Sequence, residues 1–133
     1  MKGQCLCGEV TVEISAEDTK ISVCHCSMCR TWAGGPFFAI HAQAAPKLTG
    51  EASLGIYPSS EWAERVFCKT CGSHLFYRLK DGSFHGVSSG LFAPENLSVK
   101  QQIFIDEKPD YYALRNDTPT LTGEQVFAAF SQD

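Results

Sequence analysis

Apolar and polar positions alternate along this chain in short bursts. In "EVTVEI" (9–14), Val10, Val12 and Ile14 alternate with Glu9, Thr11 and Glu13, the two-residue period of a strand with one buried face. "KISV" (20–23) and "PFFAIH" (36–41) predict two further strands. Shorter candidates are "SLGIY" (53–57), "RVF" (65–67), "HLFYR" (74–78) and "FHGVS" (84–88). "LSVKQQIFI" (97–105) alternates through Leu97, Val99, Ile103 and Ile105, with Gln101 out of phase. Turn signals separate these runs: "TG" at 49–50, "DG" at 81–82, and Pro94 opening a helical turn. Near the C-terminus the period changes. Thr122 and Gln125 have the spacing of a capping box ahead of Val126, Phe127 and Phe130, which predicts one short helix. The expected fold is mainly β, sandwich-like or barrel-like, as a single domain over residues 1–133.

Composition fits that picture and narrows the partners. Hydrophobic residues make up 44% and charged residues 20% of 133 positions, enough for one packed core. The net charge is −4, with no run of five like charges. A nucleic-acid or anionic-membrane partner rewards a basic face, so neither is expected. "MKGQCLCGEV" lacks the apolar stretch of a signal peptide, and no segment approaches the roughly 18 apolar residues of a membrane span. The expected location is cytoplasmic. Seven cysteines are then many, and their odd number does not suit a disulfide framework. Metal ligation explains them better.

The cysteines fall into three groups: Cys5 and Cys7 as C-x-C, Cys24, Cys26 and Cys29 as C-x-C-x-x-C, and Cys68 and Cys71 as C-x-x-C. In a strand, residues two apart share a face about 6.6 Å apart. Tetrahedral zinc needs sulfurs roughly 3.8 Å apart, a gap that two leaning side chains can close. Leu6 and His25 then face away from the ions. C-x-x-C instead chelates through a turn, and Gly72 after Cys71 allows positive φ there.

Seven ligands divide naturally into four and three. Four thiolates make a closed structural zinc, whereas three leave an open position of the catalytic kind. Another division remains open: Cys26, Cys29, Cys68 and Cys71 as two knuckles, leaving Cys5, Cys7 and Cys24. Histidine is also available as a fourth ligand, at His25, His41, His74 or His85. A thiolate-rich zinc suits a soft substrate thiol better than it suits water activation. His25 and His74 are the nearest candidates for a general acid or base, and Trp32, Phe37 and Phe38 for pocket wall or core.

The order "GQCLCGEV…VCHCSMCR…FCKTCGSHL", closed by "IFIDEKPDYY", resembles the family of glutathione-dependent formaldehyde-activating enzymes and centromere protein V. The closing motif carries Tyr111 and Tyr112 where a tryptophan is expected. The resemblance implies a β-tent fold of antiparallel sheets and two Zn²⁺ per chain. It implies that Cys5, Cys7, Cys68 and Cys71 hold a structural zinc, and that Cys24, Cys26 and Cys29 hold the zinc of the active site. It further implies a small thiol such as glutathione and an aldehyde as partners. The named activity joins formaldehyde and glutathione as S-hydroxymethylglutathione, a carbon–sulfur lyase reaction run in synthesis. The alternative is a zinc-stabilised binding module with two structural ions and no catalysis. A zinc store or redox sensor is a third reading.

Overall fold

The computed structural model describes residues 1–130 and is mostly β. Strands β1 (Lys2–Gln4), β2 (Thr11–Glu13) and β5 (Lys47–Thr49) form a small antiparallel sheet. The other eight strands form a large sheet that does not close into a barrel. They are β3 (Lys20–Cys24), β4 (Phe37–Ala42), β6 (Leu54–Tyr57), β7 (Ala63–Cys68), β8 (His74–Leu79), β9 (His85–Ser88), β10 (Ser98–Ile103) and β11 (Thr120–Leu121). Their order is β11-β10-β3-β4-β9-β8-β7-β6. Helix α1 (Ser27–Ala33) links β3 to β4, and α2 (Gly123–Phe130) follows β11. Among the described residues no helix is long and apolar enough to cross a membrane.

Each strand expected from alternation is present, within two or three residues at the ends. The C-terminal helix is present too. Its capping box closes reciprocally, with Thr122 N–H donating to Gln125 Oε1 at 2.7 Å and Gln125 N–H to Thr122 Oγ1 at 3.2 Å.

The sheets are mostly antiparallel, as expected, with one exception, and two local expectations need correction. Antiparallel pairing is not universal, because β10 runs parallel to both β3 and β11. The out-of-phase Gln101 marks a bulge in that strand, where the register against β3 shifts between Val99 and Gln101. Pro94 opens a reverse turn closed by Leu97 N–H on Pro94 O, not a helical turn. Neither C-x-C pair lies within a strand: Cys5 and Cys7 sit in the turn after β1, and Cys26 caps α1 just beyond β3.

The pleat of the large sheet sorts its side chains onto two faces. On one face Ile21, Val23, Ile40, Val66, Phe76 and Val87 pack with Val10, Val12 and Ile14 around the small sheet. Cys5 and Cys68 belong to this core and are almost fully buried. On the opposite face Cys24, Cys29 and Phe37 pack with Trp32, Tyr77, Ile103 and Phe104. Neighbours in sequence thus serve different clusters: Val23 looks one way and Cys24 the other, as do Phe76 and Tyr77.

Candidate functional site

The fold gathers the seven cysteines into two clusters. Cys5, Cys7, Cys68 and Cys71 bring their sulfurs within 4.8 Å of one another, and Cys24, Cys26 and Cys29 do the same. Among the described residues no histidine or carboxylate joins either cluster. The two-knuckle division is therefore not the one adopted. In the first cluster Cys5 and Cys7 sulfurs lie 3.5 Å apart, and Cys7 and Cys68 sulfurs 3.8 Å apart. These separations lie at or just below the roughly 3.8 Å edge of a tetrahedron built on zinc–sulfur bonds of about 2.3 Å. The donor set fits zinc.

Local backbone geometry explains the approach of the four. Gly8 N–H bonds to Cys5 O at 3.0 Å, folding the first pair into a turn. Gly72 N–H bonds to Cys68 O at 2.8 Å, and Gly72 takes φ of 78° as the sequence requires. Amides aim at sulfur: Val10 N–H points to Cys5 Sγ at 3.3 Å. The Ser73 hydroxyl and amide hold the Cys71 thiol down, at about 5. The Ser73 hydroxyl also accepts Leu6 N–H at 2.9 Å, tying the two turns together. Glu9 makes a second tie, its carboxylate accepting from Ser53 and from Thr70 at 2.8 Å. Those hydroxyls hold Glu9 below the usual carboxylate range. Leu6 faces solvent, as expected.

The three-cysteine cluster straddles a strand end and a helix start. Cys24 ends β3, Cys26 is the N-cap of α1, and Cys29 lies on its first turn. Cys29 N–H donates to Cys26 Sγ at 3.4 Å, so sulfur plays the capping part usually taken by oxygen. Hydrogen bonds from the Cys24 and Cys29 thiols pull the Cys26 thiol down, to about 2, while the same contacts and burial push Cys24 up.

Arg65 went unnoticed in the sequence and is the most consequential neighbour. It is 4% exposed, and its Nη1–H donates to Cys29 Sγ at 3.6 Å. Its guanidinium lies 5.0 Å from the Trp32 ring centre and 5.1 Å from that of Tyr77. Its signal was an arginine at an inward position of the "AERVF" strand, opposite Tyr77 in the ladder.

The histidines fall into distinct settings. His25 is fully buried, with Nδ1 2.8 Å from Tyr112 Oη and Nε2 2.8 Å from Gln102 Oε1. Its ring is thus engaged away from the sulfurs, as expected. His74 stacks on Trp32 at 4.2 Å, and burial followed by the Arg65 charge lowers its pKa. His41 packs against Phe84 and His85 near Phe76, and neither histidine belongs to a sulfur cluster. A cavity of about 440 Å³ opens beside the trio's apolar surround, lined by Ala33, Pro36, Phe37, Phe38, Ser73, His74 and residues 88–91. Phe37 therefore serves both core and wall.

Comparison with known proteins agrees with this architecture. The family described as glutathione-dependent formaldehyde-activating enzyme matches residues 1–107. An uncharacterized lyase of Schizosaccharomyces pombe is 36% identical over 127 residues, which cover 94% of this chain and 93% of that protein. A putative glutathione-dependent formaldehyde-activating enzyme of Aspergillus flavus is 34% identical over 103 residues, covering 73% of this chain. The match spans only 52% of that longer protein. A crystal structure of a Rhodobacter sphaeroides protein superposes with a TM-score of 0.61 at 22% identity, covering 92% of this chain and all of that one. That likeness concerns the fold.

Proposed function

The chain belongs to the glutathione-dependent formaldehyde-activating enzyme family, and from that premise we propose a zinc-dependent carbon–sulfur lyase acting on thiol–aldehyde adducts. The carrying observation is the unequal division of sulfurs, four in one cluster and three in the other. Cys5, Cys7, Cys68 and Cys71 would hold a structural zinc joining the turn after β1 to the β7–β8 turn. Cys24, Cys26 and Cys29 would hold the second zinc, which supplies an electrophilic position for a soft thiol sulfur.

The reaction is an addition without redox change. In the synthetic direction a bond forms between the thiol sulfur and the aldehyde carbon, and the carbonyl π bond opens to a hydroxyl. The proton lost by the thiol is regained at that oxygen. The protein's part is to favour the thiolate and to exclude water. The Arg65 charge beside Cys29 serves the first need. Trp32, Phe37 and Tyr77 serve the second by walling the sulfurs with apolar surface. A reducing cytoplasm keeps such thiolates available, which supports that location for the chain.

The test measures formation and breakdown of the formaldehyde–glutathione adduct, with Cys29→Ser as control. Acceleration by the native protein and loss in the variant are expected. A rate equal to background in both would remove formaldehyde and glutathione as substrates. Two equally inert zincs that ignore added thiols would favour the binding-module reading instead.

A further inference from the structure

We propose that Arg65 is a positioning residue of the three-sulfur site, supplying the countercharge that lets Cys24, Cys26 and Cys29 hold a divalent metal and still accept an anionic thiolate. This rests on the metal-binding reading above.

The argument begins with the burial of a permanent cation. Arginine stays protonated in proteins, and a charge taken out of water needs an opposite charge nearby. Arg65 is 4% exposed. Yet the ion pair found among the described residues is Arg78 with Glu64, and no carboxylate of those residues lies within 4.0 Å of Arg65. Its hydrogen-bond partner is the Cys29 sulfur, and its guanidinium lies against the Trp32 and Tyr77 rings. Neutral thiols would leave this cation unbalanced. Thiolates balance it.

Charge counting gives the consequence. Three thiolates around a divalent ion carry −1, and a bound substrate thiolate makes −2. With Arg65 included these become 0 and −1. In a site walled by Phe37, Trp32 and Tyr77, that unit of charge bears directly on whether a thiolate can enter. The N–H···S bond also withdraws electron density from Cys29, so the cysteine donates less and the metal remains receptive to another sulfur. The aromatic faces hold the guanidinium in place, since each accepts positive charge. Strand pairing fixes the arrangement: Arg65 is in register with Tyr77 on β8. His74, stacked on the same tryptophan, extends the assembly to the cavity wall. Arg65 thereby favours ligands that arrive as thiols and bind as thiolates over neutral ones.

The experiment compares native protein, Arg65→Gln and Arg65→Lys as full chains. Zinc affinity is resolved into two classes with graded chelators. Cobalt-loaded protein is then titrated with glutathione while the sulfur-to-cobalt charge-transfer band is followed. In the glutamine variant the looser zinc class should weaken roughly 10- to 100-fold, the range for losing a group bonded to a metal ligand. The tighter class should not move, and glutathione affinity should fall. Lysine keeps the charge and should recover most of both losses. Equal weakening of the two classes would indicate a general structural role and overturn the proposal. An unmoved loose class, or a lysine variant as weak as the glutamine one, would do the same. If the glutamine variant does not fold, the lysine variant decides alone: a loose class within about tenfold of native upholds the proposal, and its loss overturns it. A native protein with zinc only on the four-cysteine cluster overturns this inference and the reading beneath it. Two native classes with an indifferent Arg65 overturn this inference alone.

Discussion

Tyr112 donates its hydroxyl proton to His25 Nδ1 across 2.8 Å, joining residues 87 positions apart. The direction of that bond follows from the other side of the ring. Gln102 Nε2 donates to Thr118 Oγ1 at 3.3 Å, which turns Gln102 Oε1 toward His25 to receive the Nε2 proton. Nδ1 is then the acceptor. The rings of His25 and Tyr112 also stack, with centres 5.5 Å apart. Lys108 Nζ fixes the same loop by donating to the Tyr112 and Pro109 carbonyls at 2.6 and 3.0 Å. Because His25 lies between Cys24 and Cys26, this histidine spikes the loop after β10 to the segment that carries the sulfur trio. Tyr111 and Tyr112 stand where the family resemblance implies a tryptophan, and the Tyr112 hydroxyl supplies this bond.

Tyr112→Phe should therefore weaken the protein while leaving the ring stack in place. The change removes the donor to a buried ring nitrogen, which costs about 1–3 kcal/mol. A lower urea midpoint with an unchanged slope is expected, together with faster amide exchange around residues 109–114. An unchanged midpoint would show that the hydroxyl contributes nothing.

Gly50 offers a sharper test of backbone constraint. It has φ of 80°, and a Cβ there would lie 1.8 Å from the carbonyl oxygen of Glu9. Gly82 has φ of 81° with open space around it. Gly82→Ala should cost only the left-handed conformation, roughly 1–2 kcal/mol. Gly50→Ala must also displace the Glu9 backbone, whose side chain ties the first cysteine turn to Thr70. Its loss should exceed that of Gly82→Ala clearly in thermal or urea unfolding. Equal losses would mean that the Glu9 segment yields freely.

The legible parts of this protein are those written in local periods and spacings. Alternation at Val10, Val12 and Ile14 exposed a strand because burial has period two in any sheet direction. The same pattern does not encode direction, so the parallel course of β10 beside β3 was invisible. Helix α1 was missed because seven residues are too few for a clear apolar stripe and its N-cap is a cysteine. β1 and β5 were missed because "KGQ" and "KLT" are three-residue strands with hardly any apolar signal. The cysteine spacings revealed chelating groups, while their partition into four and three rests on how the turn after β1 reaches the β7–β8 turn. Arg65 escaped notice because its sulfur partner is 36 residues away.

The buried histidines give the stability a definite dependence on pH. Burial lowers the pKa of His85, with Arg78 and His41 adding to the effect. The folded state then binds fewer protons than the unfolded state, whose histidine titrates near 6.5. Stability should be full above that value and fall as pH drops from about 6.5 through the lowered folded pKa. His25 and His74 shift in the same direction, also chiefly through burial. His85 belongs to neither sulfur cluster, so His85→Gln should flatten its share of the decline without removing a metal ligand. The comparison is urea stability at pH 7 and pH 5 in both proteins. A decline of equal steepness in the variant would exclude His85 as a contributor.

The two clusters should answer differently to the loss of one sulfur. Cys68 is fully buried in the main core, and its cluster joins segments on opposite sides of the sequence. Structural zinc contributes an apparent binding free energy of about 10–16 kcal/mol to folding. Small domains have only about 5–15 kcal/mol of stability in total, so losing a substantial part of the zinc contribution is enough to unfold them. Cys68→Ser should accordingly lose its native circular dichroism, or retain it only at low temperature. Cys29 belongs to the second cluster, on the far face of the large sheet, where β3, α1 and β4 are already joined by local chain and backbone ladder. Cys29→Ser should stay folded, keep the zinc of the four-cysteine cluster and lose thiol-dependent activity. Circular dichroism and zinc content of the two purified variants decide the matter. Unfolding in both would assign the same structural duty to the two clusters, and a folded, zinc-replete Cys68→Ser would remove the four-sulfur cluster from its place in holding the fold.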